Sequence, residues 1–423
     1  MVVAWLMLLS PTAAVAQDQF GTGTRWIEIP IDQPAASAAS PLFGRVNSDT
    51  SADLVLYDYA RGQAYVAISD GTRFGRPALY SSGLPQFSEL TFETALTDVN
   101  GDGLDDLVIM NHGADDVPGA ATAMVALNTG SGFSYPPQPT WNASWCASYQ
   151  RCLADDINGD GMGDLVAFTT DGGSVWGTLS TGTSFGANAV WLNFYCIRGE
   201  ICVLGDVNGD GLADAILFKP TDPDQGEKGN VLWARSTGSA FVDVQYGHGF
   251  FCIEAERCLV GDVNGDGRSD VVLVKGFGSG LPTLEVLVSL SNGQQFINAE
   301  PFAWANPPSF NPGSTSFGTF GLADVTGDGR ADLVEWGLAS APTPGGGSQT
   351  TGFAVDVFPT GQPGVPPAPG APVSPPEQRG YSSVAIYNCE TDQHQLFYWN
   401  LDSTSGAVEQ SGLTDAMYSE AGT

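Results

Sequence analysis

Five nine-residue segments concentrate oxygen donors at one spacing. They begin at Asp98, Asp156, Asp206, Asp262 and Asp324 and read D-V-N-G-D-G-L-D-D, D-I-N-G-D-G-M-G-D, D-V-N-G-D-G-L-A-D, D-V-N-G-D-G-R-S-D and D-V-T-G-D-G-R-A-D. Side-chain oxygens fall at positions 1, 3, 5 and 9, and a backbone carbonyl is expected from position 7. A hard, all-oxygen donor set at such short spacing suits Ca2+, whereas Mg2+ keeps its waters and rarely occupies an all-protein cage. Glycine at position 6 permits the sharp reversal that would fold each loop around an ion. The expected ligands are Asp98, Asn100, Asp102, Leu104 and Asp106; Asp156, Asn158, Asp160, Met162 and Asp164; Asp206, Asn208, Asp210, Leu212 and Asp214; Asp262, Asn264, Asp266, Arg268 and Asp270; and Asp324, Thr326, Asp328, Arg330 and Asp332, with position 7 contributing its carbonyl. About five ions are implied. Turns that bind nothing do not account for three carboxylates in one short loop, because unneutralised they repel. Position 12 of the first full loop is Ile109 and a strand-like run follows, which excludes a helix-loop-helix hand. A degraded sixth copy, Arg45-Val46-Asn47-Ser48-Asp49-Thr50-Ser51-Ala52-Asp53, lacks the first carboxylate and the glycine. Arg45 is expected to act there as a fixed internal cation.

The six starts are 53, 58, 50, 56 and 62 residues apart, a period suited to a four-stranded propeller blade and too long for ankyrin or tetratricopeptide arrays. Each segment runs into a continuous apolar stretch: Leu54–Tyr57, Leu107–Met110, Leu165–Phe168, Ala215–Phe218, Val271–Val274 and Leu333–Trp336. Continuous runs rather than alternation describe strands with both faces buried, as in a blade packed between two others. A second apolar segment ends in a G-x-x-aromatic turn at Gly71–Phe74, Gly130–Phe133, Gly182–Phe185, Gly238–Phe241 and Gly293–Phe296. The same turn, Gly23–Trp26, precedes the first loop, and Thr360-Gly361 begins it again without the aromatic. The chain therefore enters in the middle of one blade and returns to it at residue 358, which closes a ring and removes its sheet edges. The expected fold is an all-β propeller of six blades, with a seventh as the alternative.

The loops, their apolar strands and the G-x-x-F turns resemble the FG-GAP or VCBS repeats of integrin α-subunit propellers and many secreted bacterial proteins. The resemblance spans about residues 20–360. It implies a propeller with one Ca2+ per complete loop, and adhesion or ligand binding more often than catalysis. Fungal propeller lectins and bacterial surface and toxin proteins also use such repeats, so the fold alone does not set the function.

The ends read differently. Residues 1–16, with the apolar run Val2–Leu9 and then Ala14-Val15-Ala16, resemble a signal peptide, although no Lys or Arg precedes the run. The propeller is assigned to residues 17–358. Eight prolines between Pro359 and Pro376 mark residues 359–380 as an extended linker. Residues 381–423 are expected to form a small β unit, with strands at Ser383–Tyr387 and Leu396–Leu401, or else a seventh blade. Tyr387-Asn388-Cys389 and Tyr398-Trp399-Asn400 resemble a unit that follows propellers in some bacterial exported proteins, in which a second cysteine comes later. None follows Cys389 here, so that unit is expected to be cut short of its disulfide partner.

Six of the seven cysteines form three C-x5-C pairs, Cys146/Cys152, Cys196/Cys202 and Cys252/Cys258, read as three local disulfides. Zinc is the rival, but no further Cys or His completes four ligands. Aromatic residues gather at these pairs: Trp145, Tyr195 and Phe251 directly before the first cysteine, with Trp141, Trp191, Phe194, Tyr246 and Phe250 nearby. They either stack on sugar rings or a protein partner, or pack between blades.

Against 47 Asp+Glu the chain has 15 Lys+Arg, a net charge of −32, which excludes nucleic acid and anionic lipid as partners. No apolar stretch reaches the length of a membrane span. His112, His248 and His394 stand in unrelated contexts, and Gly182-Thr183-Ser184-Phe185-Gly186 matches G-x-S-x-G only as a repeat turn. No catalytic or organic-cofactor site emerges. The expectation is a secreted or cell-surface (or periplasmic) calcium-binding module for a protein or glycan partner; a polysaccharide-active enzyme on the same scaffold is the alternative.

Overall fold

The computed structural model describes Phe20 and residues 23–30, 32–33, 41–87, 92–113, 121–135, 140–197, 199–220, 229–249, 251–253, 256–275, 285–297, 319–342, 348–360, 399–401 and 408–410. The described chain is all β. It opens with β1 (Thr24–Pro30), whose partners come from the far end of the repeats. Blade one is β2 (Pro41–Gly44), β3 (Asp53–Asp58), β4 (Gln63–Ala67) and β5 (Ala78–Ser82). Blade two is β6 (Phe92–Thr97), β7 (Asp106–Asn111), β8 (Thr122–Asn128) and β10 (Thr140–Asn142), with the short β9 (Phe133–Ser134) also on β8. Blade three is β11 (Gln150–Asp155), β12 (Asp164–Thr169), β13 (Val175–Thr178) and β14 (Ala189–Leu192). Blade four is β15 (Ile201–Gly205), β16 (Asp214–Lys219), β17 (Asn230–Ser236) and β18 (Phe241–His248). Blade five is β19 (Arg257–Gly261), β20 (Asp270–Lys275), β21 (Glu285–Ser291) and β22 (Phe296–Ile297). Blade six is β23 (Thr319–Ala323), β24 (Asp332–Pro342) and β25 (Ser348–Phe358), completed by β1. A separate pair joins β26 (Trp399–Leu401) to β27 (Val408–Gln410).

The apolar runs read from the sequence are the second strands, and they are buried on both faces: Leu54, Leu107, Leu165, Ala215, Val271 and Leu333 are each at most 1% exposed. Their side chains fill six apolar clusters, one between each pair of successive blades. The cluster that joins Phe43, Leu54 and Phe74 to Val334, Trp336 and Val355 packs blade six on blade one. That contact and the strand β1 close the ring at six. β1 runs antiparallel to β25 from Thr24↔Val357 to Pro30↔Gly352, and Arg25 Nε bonds Asp356 Oδ1 at 2.7 Å. The Pro-rich linker beyond Thr360, the expected strand Ser383–Tyr387, Cys389 and residues 1–16 lie outside the described residues.

Because each sheet is antiparallel in the order first-second-third-fourth strand, the turns between strands one and two and between three and four share one face of the ring. The aspartate segments and the G-x-x-F turns therefore lie together there. The disulfide hairpins, which lead into the first strands, lie on the opposite face.

Candidate functional site in the aspartate loops

The aspartates of position 9 start the second strands and are sealed inside: Asp53, Asp106, Asp164, Asp214, Asp270 and Asp332 are all 0% exposed. Each has both oxygens engaged by backbone amides. In blade three Asp164 Oδ1 accepts from Ser180 N at 2.6 Å and Oδ2 from Ile157 N at 3.3 Å. The same pair of bonds recurs in every blade, from Val46 and Ser69 to Asp53 through Val325 and Thr360 to Asp332. One carboxylate thus ties the start of its loop to the end of the third strand. Burial pushes these groups far above the ordinary carboxylate range, to about 7 for Asp53 and about 8 for Asp106, Asp164, Asp214 and Asp332, with Asp270 well raised. Next to burial, the neighbouring loop carboxylates raise them further, against the lowering effect of the amide bonds.

Positions 1, 3 and 5 organise the rest of the loop, with the position 1 carboxylates of Asp98, Asp156 and Asp262 also buried. Asp98 Oδ1 accepts from Gly101 N at 2.7 Å and Oδ2 from Gly103 N at 2.7 Å, and Asp156, Asp206, Asp262 and Asp324 bind their two glycines in the same way. Both glycines have positive φ, 76° and 88° in the first full loop, which is why glycine is required there. Asn100 Oδ1 accepts from Asp102 N at 2.9 Å and Asn100 Nδ2 donates to Asp102 Oδ2 at 3.0 Å, and Asp102 Oδ1 accepts from Leu104 N at 2.9 Å. Position 7 divides the loops. Leu104, Met162 and Leu212 are apolar, whereas Arg268 Nη2 pairs with Asp266 Oδ2 at 2.5 Å and Arg330 Nη2 with Asp328 Oδ2 at 3.0 Å.

The side chains of positions 1, 3, 5 and 9, with the position 7 carbonyl, are the groups that could hold a cation. Their donor chemistry fits a hard ion in that every group is an oxygen, although some of these oxygens are already heavily used: Asp98 Oδ1 accepts from the amides of Asn100, Gly101 and Asp102 at 2.7–3.2 Å. The aspartate oxygens of one loop are not all gathered within 4.8 Å of one another; among the described residues the acid or thiol group that meets that distance is Glu93 with Cys146 and Cys152, and those sulfurs are bonded to each other.

Neighbouring loops are linked directly. The amide of position 8 donates to the carbonyl of position 1 in the preceding blade, from Asp105 N to Arg45 O at 2.8 Å, through Gly163, Ala213, Ser269 and Ala331, to Ala52 N and Asp324 O at 2.7 Å, which completes the circle. Ser180, Ser236, Ser291 and Ser69 hydroxyls reach back to the position 2 carbonyl of the preceding blade at 2.6 Å, and Asn128 Nδ2 takes that role toward Val46 at 3.0 Å. Sequence reasoning missed this ring. Its signal was present in the polar residue two positions before the glycine of each G-x-x-F turn.

The opposite face carries the three disulfides, with Cα–Cα distances of 5.9, 5.9 and 5.7 Å, paired as their spacing predicts. The first cysteine of each has positive φ. Within each hairpin the side chain two residues before the second cysteine caps the turn: Gln150 Oε1 accepts from Ala147 N, Glu200 Oε2 from Ile197 N and Glu256 Oε2 from Ile253 N, at 2.7–2.8 Å. Trp145, Tyr195 and Phe251 are at most 5% exposed and Trp141 and Trp191 are also buried, so these five pack between blades. Phe194 and Tyr246 are exposed, at 90% and 54%; Phe250 lies outside the described residues. Glu93, unforeseen in the sequence, sits against the first hairpin, with Oε2 accepting from Cys152 N at 2.6 Å. Burial raises its carboxyl, and burial lowers the adjacent Arg151 to about 10. His112 Nδ1 lies 3.3 Å from Ala147 O, and His248 packs edge-on against Phe251. Gly182–Gly186 is a turn between β13 and β14, with Thr181 Oγ1 donating to Ser184 O, and no helix follows it.

Residues 262–335, which contain two aspartate loops and the strands between them, match the model of the FG-GAP-like repeat. That stretch is identified as an FG-GAP-like repeat. The six blades agree with that assignment. Among solved structures the chain is similar to an Agrocybe aegerita lectin described as specifically recognising non-reducing terminal N-acetylglucosamine, at 20% identity and a TM-score of 0.50, over 75% of this chain and 81% of the lectin. It is also similar to the Photorhabdus luminescens Tc holotoxin pore, at 18% identity and a TM-score of 0.45, over 78% of this chain and 15% of that one. No curated protein sequence matches it.

Proposed function

We propose that this FG-GAP propeller is an exported calcium-binding module that recognises a glycan or protein partner. The observation that carries the reading is the repetition of one all-oxygen loop in five successive blades of a closed ring. Bound at positions 1, 3, 5, 7 and 9, Ca2+ would supply charge neutralisation to carboxylates that otherwise repel. The propeller then serves as a closed scaffold whose opposite face is available for recognition. Three disulfides support an oxidising compartment outside the cytosol. Among the described residues no helix is long and apolar enough to cross a membrane. The lectin of similar fold supports a saccharide as one class of partner. A glycan array probed with the full chain, with Ca2+ and with chelator, tests the reading: calcium-dependent capture of a defined glycan set is expected. A chain that binds no Ca2+ in equilibrium dialysis would overturn the calcium part.

A further inference from the structure

On the face opposite the aspartate loops, one exposed aromatic is held in a conformation that costs energy. Phe194 has φ 59° and is 90% exposed. A left-handed backbone at a bulky residue costs on the order of 1–3 kcal/mol, and an exposed phenyl ring forgoes the gain of burial. The matching position in the preceding hairpin is Ser144, which is not left-handed. The exposed apolar side chains Leu79, Val190, Val244, Tyr246 and Ile297 lie on outermost strands, where single apolar residues need no special account. Phe194 does not share that explanation.

Two further exposed apolar side chains stand on this hairpin and its neighbour. Ile197, 47% exposed, follows across the disulfide hairpin, and Tyr149, 49% exposed, stands on the neighbouring one. The turn 170–173 joins them: Thr170 Oγ1 donates to Tyr149 O at 3.2 Å, and a Cβ on Gly173 would come within 3.0 Å of Phe194 Cα and 3.1 Å of Ile197 Cγ2. The hairpin that carries Phe194 and Ile197 is braced, since Cys196 is bonded to Cys202, Glu200 Oε2 caps Ile197 N at 2.8 Å, and Glu200 Oε1 pairs with Lys219 at 3.2 Å. Polar oxygens are offered by the residue before Phe194, Asn193, whose side chain accepts from Ser174 Oγ at 3.4 Å, and by the exposed Asp171 of the turn 170–173.

We propose that Phe194, with Ile197 and Tyr149, forms a binding site for an uncharged saccharide, whose pyranose ring stacks on the phenyl face while its hydroxyls donate to Asn193 and Asp171. Two arguments select this ligand class. Three side chains are too few to bury the roughly 800 Å² per partner of a stable protein interface. A net charge of −32, with the Asp171 carboxylate on the turn 170–173, disfavours acidic sugars and sulfated chains. The proposal rests on the recognition part of the reading above and locates it.

The test uses the full chain and an array of neutral and acidic oligosaccharides, followed by titration of the best neutral binder. Phe194→Ala and Ile197→Ser are each expected to weaken binding at least tenfold, and Phe194→Trp to retain it. Phe194→Gly is the decisive variant: glycine relieves the left-handed strain, so the melting temperature should rise while binding is lost, the opposite of what a packing role gives. Neutral glycan binding unchanged in all these variants would overturn the site and leave the glycan reading standing. Preference for acidic glycans, or capture of no glycan by the unmodified chain, would overturn the proposal; in the latter case a protein partner becomes the remaining form of the recognition reading.

Discussion

The loop of blade one and the loops of the other five blades keep different parts of the same segment. Blade one retains Asp53, with Oδ1 accepting from Ser69 N at 2.8 Å and Oδ2 from Val46 N at 3.4 Å, and it retains the amide link from Ala52 to Asp324. It has lost the carboxylate of position 1 to Arg45 and both glycines to Ser48 and Thr50, neither of which has positive φ. Arg45 was expected to stand in as a cation. Its backbone amide donates to Asp105 Oδ2 of the next blade at 2.7 Å, and Asp53 is raised to about 7 by burial and by Asp49 and Asp105. The blade forms all the same. Position 9 therefore belongs to the fold, because its two buried bonds recur wherever a blade exists. Blade one also keeps positions 3 and 5, where Asn47 Oδ1 accepts from Asp49 N at 2.7 Å and Asp49 Oδ1 from Ser51 N at 2.9 Å, so it is the position 1 carboxylate with its two glycines that exceeds what the fold needs, which is the strongest reason to assign it to an ion.

The largest test of this division removes the cation. With five loops each coupling binding to folding, and about 2.7 kcal/mol per site when the ion is at a hundred times its dissociation constant, chelation should lower the melting temperature by many degrees. An unchanged calorimetric transition in excess chelator would end the calcium reading. Next in size, Asp164→Ala leaves the buried amides of Ile157 and Ser180 without partners, a loss of roughly 2–6 kcal/mol at about 1–3 kcal/mol per orphaned group. Asp53→Ala should cost a similar amount, with or without Ca2+, whereas Asp156→Asn should matter mainly with the ion present. If chemical denaturation showed Asp53→Ala to be harmless, the structural role of position 9 would fail.

A smaller effect concerns pH. Asp106, Asp164, Asp214 and Asp332 have folded-state values raised to about 8, above those of the unfolded chain. The folded state holds their protons more tightly, so their contribution is fully present below about pH 4 and is lost as pH rises through about 8. Chelated protein should melt at a lower temperature at pH 8.5 than at pH 5.5, and saturating Ca2+ should reduce that difference. A melting temperature that rises over this range in chelator would contradict the assignment. The smallest effect separates the five complete loops. Arg268 neutralises Asp266, so Arg268→Leu should tighten Ca2+ binding at that loop by a factor of about five, the value of an exposed pair worth about 1 kcal/mol. Isothermal titration resolves this; equal affinities would show that the guanidinium swings away at no cost.

Much of the ring could be read in advance. The period, the apolar runs and the half-turn at Gly23–Trp26 led to six blades and to strand β1 inside the last of them, because a strand packed on both faces must be continuously apolar and a ring must cover its edges. The disulfides followed from spacing alone, since a C-x5-C hairpin brings its own cysteines together. Less legible were the partners of individual groups. Asp98 and Asp106 are both buried aspartates of one segment, yet one binds Gly101 and Gly103 within its own loop while the other accepts from Asn128 at the end of the third strand. Likewise Tyr195 and Phe194 are adjacent aromatics in the sequence, one 3% and the other 90% exposed. Local order, repeat number and donor chemistry depend on near neighbours along the chain, and the sequence by itself determined them. Which strand a carboxylate ties down, which aromatic faces solvent and which amide crosses to the next blade depend on groups some 20 to 280 residues away, brought close when six sheets pack against one another, and those only the tertiary structure decided.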